Sequence, residues 1–157
     1  MSKALIAYFS ASGVTAKVAE RLAAATGADL FEIRPTEPYT EKDLKWTNPL
    51  ARCNKEKLGR KDVPVRDRIE DPDAYDTFFV GFPIWYYGAP NIIVTFLKAY
   101  DLKGKKLALF ATSGGSDMGK TAEKLRAQLP GPVDIVAAKL FRAEDGDDAL
   151  RQWTESI

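Results

Sequence analysis

The sequence predicts an α/β fold: a doubly wound, five-stranded parallel sheet covered by helices on both faces, three layers in an α/β/α sandwich. Three observations predict it. Five runs of strand length alternate with segments of helical periodicity along the 157 residues. The run Thr77 to Phe82 is apolar without a break, as a strand buried on both faces of a parallel sheet should be. Three loops of unusual composition, Ser10–Thr15, Pro83–Gly88 and Thr112–Ser116, each follow a strand, where such sheets place their binding crevice. The chain is long enough for one domain, residues 1–157, with a core of its own.

The first strand is the apolar run Ala4 to Phe9, and the helix behind it carries Val14, Val18, Leu22 and Ala25 on one face. Gly27 ends that helix and launches a second strand over Asp29 to Ile33. Arg34 to Tyr75 is irregular and punctuated by Pro35, Pro38, Pro49, Pro64 and Pro72. Within it Thr40 to Trp46 reads as a turn of helix. Asn48-Pro49 reads as a cap and first helical residue for Leu50 to Leu58. The segment should be a surface excursion with one helix packed on the sheet. Thr77 to Phe82 is the third strand, and Asn91 to Tyr100 a helix with Ile93, Phe96, Leu97 and Tyr100 inward. Lys106 to Ala111 is the fourth strand. Met118, Ala122, Leu125 and Leu129 mark the next helix, stopped by Pro130-Gly131-Pro132. Val133 to Phe141 is an uninterrupted fifth strand. Asp147-Asp148 leads a last helix with Leu150, Trp153 and Ile157 on one face.

Composition excludes several chemistries. There is no histidine, so no Ser-His-Asp or Cys-His pair and no His-based metal site can form. Cys53 is the only cysteine; it can form no intrachain disulfide, which makes the cytoplasm the expected location. No apolar run reaches membrane-spanning length, and because Met1-Ser2-Lys3 leads directly into a strand no signal peptide is expected. Residues 42–68 hold nine Lys/Arg against four acids, which leaves the remainder four units negative. The acids are interspersed and Trp46 is the only aromatic there, so a solvated face is expected rather than a nucleic-acid surface. A docking face for an anionic protein or for NADPH phosphates is the sharper alternative.

The loop Ser10-Ala11-Ser12-Gly13-Val14-Thr15 runs from a strand into a helix. It directs backbone N–H groups and the positive end of the helix dipole at one place, which suits an anion. It has hydroxyls but no Lys or Arg, which fits a phosphate monoester better than a triphosphate. A capped helix start, its hydroxyls satisfying orphan amides, is the competing reading. Gly114 to Thr121 matches the triphosphate-loop pattern G-x-x-x-x-G-K-[ST] between a strand and a helix. However, the strand ends Phe9-Ser10, Phe82-Pro83 and Ala111-Thr112 offer no acid for magnesium.

Tyr8 to Thr15 resembles the flavin-phosphate loop of flavodoxins. Tyr75 to Trp85 resembles their third strand and flavin-flanking loop, and Thr112-Ser113-Gly114-Gly115 is similar to the loop under the pyrimidine end of the ring. The resemblance covers essentially the whole chain and, with an uninterrupted fifth strand, is to short-chain members. It implies strand order 2-1-3-4-5, FMN as cofactor and electron transfer as activity. Carried over by position, Ser10, Ala11, Ser12, Gly13, Val14 and Thr15 hold the phosphate. Pro83, Ile84, Trp85, Tyr86, Tyr87 and Gly88 line one side of the ring, and Thr112, Ser113, Gly114 and Gly115 the other. Stacking on Trp85 would add about 0.5–1.5 kcal/mol beyond burial.

Three departures shape the functional expectation. Val14 stands where the family has a polar residue, the chain is not strongly acidic, and Thr112–Ser116 has no aromatic to cover the second ring face. The expected activity is electron transfer through bound flavin, and no catalytic side chain is assigned. Two partner classes follow: redox proteins, or NAD(P)H with a quinone or other small acceptor. Neither nucleic acid nor membrane is expected, and the chain should be a monomer or weak dimer.

Overall fold

The computed structural model describes residues 3–10, 13–35, 65–66, 68–69, 71–84, 89–112, 121–129, 133–141 and 145–157. Strands β1 (Ala4–Tyr8), β2 (Asp29–Glu32), β3 (Thr77–Pro83), β4 (Lys106–Thr112) and β5 (Asp134–Phe141) form one parallel sheet in the order β2-β1-β3-β4-β5. Helices α1 (Val14–Thr26), α2 (Asn91–Lys98), α3 (Thr121–Gln128) and α4 (Asp147–Glu155), with a short 3-10 turn at Pro72–Ala74, complete the described elements. The expected fold and strand order are both found. The predicted turn at Thr40–Trp46 and helix at Leu50–Leu58 lie outside the described residues.

Alternation along the strands builds two cores. Leu5 and Ala7 of β1, Phe78, Val80 and Phe82 of β3, and Leu107, Leu109 and Ala111 of β4 pack on one face with Ile92, Ile93, Phe96 and Leu97 of α2 and Leu125 of α3. Ile6, Phe79, Ala108 and Phe110 face the other way, against Val18, Ala19 and Leu22 of α1 and Leu150 and Trp153 of α4. The division follows from right-handed crossovers: β1 to β2 steps one way along the sheet, and β3 to β4 to β5 steps the other. The reversal between β1 and β3 puts the switch point at their C-terminal ends.

Trp153 closes the second core. Its indole meets Phe79, Phe110 and Phe141 edge to face, at centroid distances of 5.7, 6.5 and 5.3 Å. Arg21 of α1 donates from Nε to Asp147 Oδ1 at 2.8 Å and also to the carbonyl of Asp145, tying α1 to the start of α4.

Several boundaries and faces differ from the sequence expectation. The buried stripe of α1 is Thr15, Val18, Ala19 and Leu22, while Val14, expected inward, is 40% exposed at the first helical position. β2 stops at Glu32, although Ile33 N–H still donates to the Tyr8 carbonyl at 2.6 Å. α2 stops at Lys98, and half-buried Tyr100 instead accepts the Ile69 amide on its hydroxyl at 2.9 Å. β5 runs through as one strand, but its register slips so that Leu107 opposes Ile135 and Ala108 opposes Ala137. Val136 is the extra residue, 41% exposed, as a bulge on an edge strand allows. Beyond β2 an antiparallel bridge pairs Pro35 with Val65. No helix among the described residues is long and apolar enough to cross a membrane.

Candidate functional site

The C-terminal ends of β1, β3 and β4 lie side by side, and each leads into one of the three loops singled out above. Beyond β1, Gly13 is the N-cap of α1 with φ +94° and ψ −14°, a left-handed conformation that a side chain would strain. Its amide donates to Ser10 Oγ at 3.0 Å, so Ser10 folds back on the turn. Its carbonyl accepts the Lys17 amide at 3.2 Å and begins the helix. The amides of Val14, Thr15 and Ala16 precede any intrahelical acceptor. The first turn of α1 has no acidic residue to offset the positive end of the dipole, whereas α4 opens with Asp147 and Asp148. A capped-start reading accounts for Ser10 and Gly13 but leaves that turn without an anionic counterpart.

The roots of the loops are tied together. Phe9 N–H donates to the Gly81 carbonyl at 2.9 Å, joining the first loop to β3. Pro83 pairs with Thr112 in the sheet, and Ile84 N–H donates to the Thr112 carbonyl at 2.9 Å, joining the second loop to the third. Thr15 Oγ1 and Thr112 Oγ1 are 2.7 Å apart and both residues are buried, which joins the first loop to the third. Thr112 thus belongs to one loop and contacts the other two.

Of the predicted site residues, Ser10, Gly13, Val14, Thr15, Pro83, Ile84 and Thr112 are described, and all seven gather at this end of the sheet. Ala11, Ser12, Trp85, Tyr86, Tyr87, Gly88, Ser113, Gly114 and Gly115 lie outside the described residues. Of the triphosphate-loop pattern only Thr121 is described; it is the first residue of α3 and fully buried. The strands flanking β4 end on Pro83 and Phe141, so neither supplies an acid there.

Burial, with Glu32 and Glu20 adding to it and Arg34 opposing, pushes the Tyr8 phenol up from its ordinary value. Among the described residues no group of Cys, Asp and Glu could hold a metal ion. A cavity of about 300 Å³ lies at the other end of the sheet, lined by Ala4, Thr77, Phe79, Arg151 and Ile157 among others, remote from the loops.

The family model for flavodoxin matches residues 3–157. The chain belongs to the flavodoxin family. Among solved structures, this flavodoxin-family chain is similar to a protein described as a flavoprotein from Bacteroides eggerthii DSM 20697, at 40% identity and TM-score 0.93 over 100% of this chain and 98% of that one. A second such protein, from Bacteroides uniformis ATCC 8492, is 34% identical with TM-score 0.91, over 98% of each chain. The flavoprotein of Lactobacillus acidophilus NCFM, solved in complex with FMN, is 25% identical with TM-score 0.74, over 98% of this chain and 99% of that one. No curated protein matches the chain.

Proposed function

We propose that this chain binds FMN across the C-terminal ends of β1, β3 and β4 and transfers electrons through it. The observation that carries the reading is the joining of three loop roots at Thr112, through Thr15 and Ile84, beside a helix start with no acid of its own. The FMN-bound Lactobacillus flavoprotein supports the choice of flavin. The residues fit such a group. Gly13 turns the backbone at φ +94°, the first-turn amides of α1 stand without helical acceptors, and the loop sequence carries neutral hydroxyls and no charged side chain.

In this reading Ser10–Thr15 hold the phosphate, and Pro83–Gly88 and Thr112–Gly115 flank the ring. FMN supplies the redox chemistry when bound, and the protein decides which ring face is open and what charge surrounds it. The triphosphate-loop alternative is set aside because the strands beside β4 end on Pro83 and Phe141 rather than on an acid.

The test is a titration of apoprotein with FMN and with riboflavin. FMN should bind at least about tenfold more tightly, as a hydrogen-bonded, dipole-facing anion implies. Equal affinities remove the phosphate assignment, and absence of flavin binding removes the reading.

A second reading, an NAD(P)H-dependent reductase of quinones or other small molecules, is favoured by one observation. The segment Thr112–Ser116 carries only small side chains, so it offers no aromatic cover for one ring face. Electron transfer through bound flavin, by a cytoplasmic monomer or weak dimer, is the primary proposal and is common to the carrier and reductase readings.

A further inference from the structure

We infer that Thr112 is a positioning residue for the flavin phosphate, acting through Thr15; this rests on the FMN reading above. Thr15 stands in the first turn of α1 and Thr112 is the last residue of β4, 97 positions later, and their hydroxyl oxygens are 2.7 Å apart. Thr15 is 1% exposed and Thr112 3%, so bulk solvent reaches neither group. Neither hydroxyl has a second partner among the described residues. Among the described residues the pair therefore has two protons for one mutual bond, and one proton has no acceptor there.

Which proton is left over decides what Thr15 can do. If Thr15 donates to Thr112, its proton is spent inside the pair. If Thr112 donates to Thr15, the Thr15 proton is free to turn toward an acceptor at the helix start. A phosphate monoester dianion has acceptors only, so it selects the second arrangement. Thr112 then satisfies a lone pair of Thr15, fixes its rotamer and directs its donor. The backbone of Thr112 is held in turn, because its carbonyl accepts the Ile84 amide at 2.9 Å and its neighbour across the sheet is Pro83. The donor direction is thus set by the second and third loops, not by the phosphate loop alone.

The experiment compares FMN and riboflavin affinities of the apoprotein in wild type, Thr112→Val and Thr112→Ser. Valine keeps the branched shape and deletes the hydroxyl; serine keeps the hydroxyl. Thr112→Val should weaken FMN about fivefold to tenfold more than it weakens riboflavin, the difference that one net hydrogen bond is worth. Thr112→Ser should keep the wild-type ratio. Thr112→Ala gives the same comparison if the valine variant does not fold. Equal losses for both flavins would mean that Thr112 only supports the fold and would overturn the inference, as would an unchanged FMN affinity. A wild type that does not prefer FMN over riboflavin overturns the phosphate reading itself, and this inference with it.

Discussion

Gly81 of β3 faces the ring of Phe110 on β4 so closely that a Cβ at position 81 would run into it. Both lie on the sheet face covered by α1 and α4, where the Phe110 ring is fully buried and meets Trp153 edge to face. The missing side chain is therefore the space that the ring occupies. The same glycine offers its carbonyl to Phe9 N–H at 2.9 Å, where the first loop leaves β1. Core packing and the root of the site share one residue.

Gly81→Ala should accordingly destabilise the protein by about 1–3 kcal/mol, the usual cost of forcing extra volume into a packed core. Urea unfolding monitored by circular dichroism measures it. Combining it with Phe110→Leu should cost less than the sum of the two single changes, since both act on one space. Strict additivity of the two would show that the ring is not what Gly81 accommodates.

Gly13→Val places a β-branched residue at φ +94°, where Gly13 has open space around a notional Cβ but the backbone itself is unfavourable. The strain is of the order of 1–3 kcal/mol. The loop should relieve it by abandoning the turn that presents the α1 amides. FMN affinity should then fall by about tenfold or more, with only a small loss of thermal stability in the apoprotein. Retained FMN affinity would mean that the left-handed turn is not needed for the phosphate.

Much of the fold is written locally. Thr77 to Phe82 announces a doubly covered strand because burial on both faces removes alternation, and β3 is found there, one residue longer. In the α1 stripe Val18 and Leu22 are inward as expected, but Val14 is not, because it fits an apolar period as well as any inward residue. The true inward residue, Thr15, is polar and has its partner 97 positions away. No count of hydrophobic spacing can find such a pair. The bulge at Val136 has no glycine or proline to mark it, and the Pro35–Val65 bridge joins residues on either side of a long excursion. At the candidate site the strand-to-helix loop that suits an anion was legible from Ser10 to Thr15. The ties among the three loops were not, since each is made by backbone or hydroxyl groups that every such sequence contains.

Tyr75 donates from its hydroxyl to Asp29 Oδ2 at 2.8 Å, with Lys3 Nζ 3.6 Å from the same oxygen. That bond, then burial and the charges of Asp29 and Asp71, raises the phenol above its ordinary value. The folded state therefore holds this proton more tightly than the unfolded chain. Its stabilisation is complete below about pH 10, where an unfolded tyrosine titrates, and is lost as pH climbs through the folded value. Tyr75→Phe should lower stability by roughly 0.5–1 kcal/mol at pH 8, the low end for an exposed hydrogen bond. The gap to wild type should narrow as pH rises above 10. Urea midpoints for both proteins across that range measure it, and a gap that widened with pH would contradict the assignment.

The carrier and reductase readings part at the second ring face. Hydride transfer requires the nicotinamide carbon to reach near-contact with the flavin in a productive orientation, which a covered ring prevents and a bare one permits. The segment Thr112–Ser116 brings two threonine- or serine-sized side chains and two glycines before Ser116, and no aromatic. Trp85, Tyr86 and Tyr87 are all in the other loop. A small donor should therefore reach the flavin, and FMN-loaded protein should oxidise NADPH or NADH steadily with a quinone as acceptor. Ser116→Tyr supplies the missing cover; it should slow that turnover by about tenfold or more while changing FMN affinity by less than about threefold. Stopped-flow bleaching of the yellow protein by each nicotinamide separates flavin reduction from the later reaction with quinone. If neither nicotinamide reduces the flavin, while a protein reductase does so rapidly, the open face serves no hydride donor and the chain is a carrier between proteins.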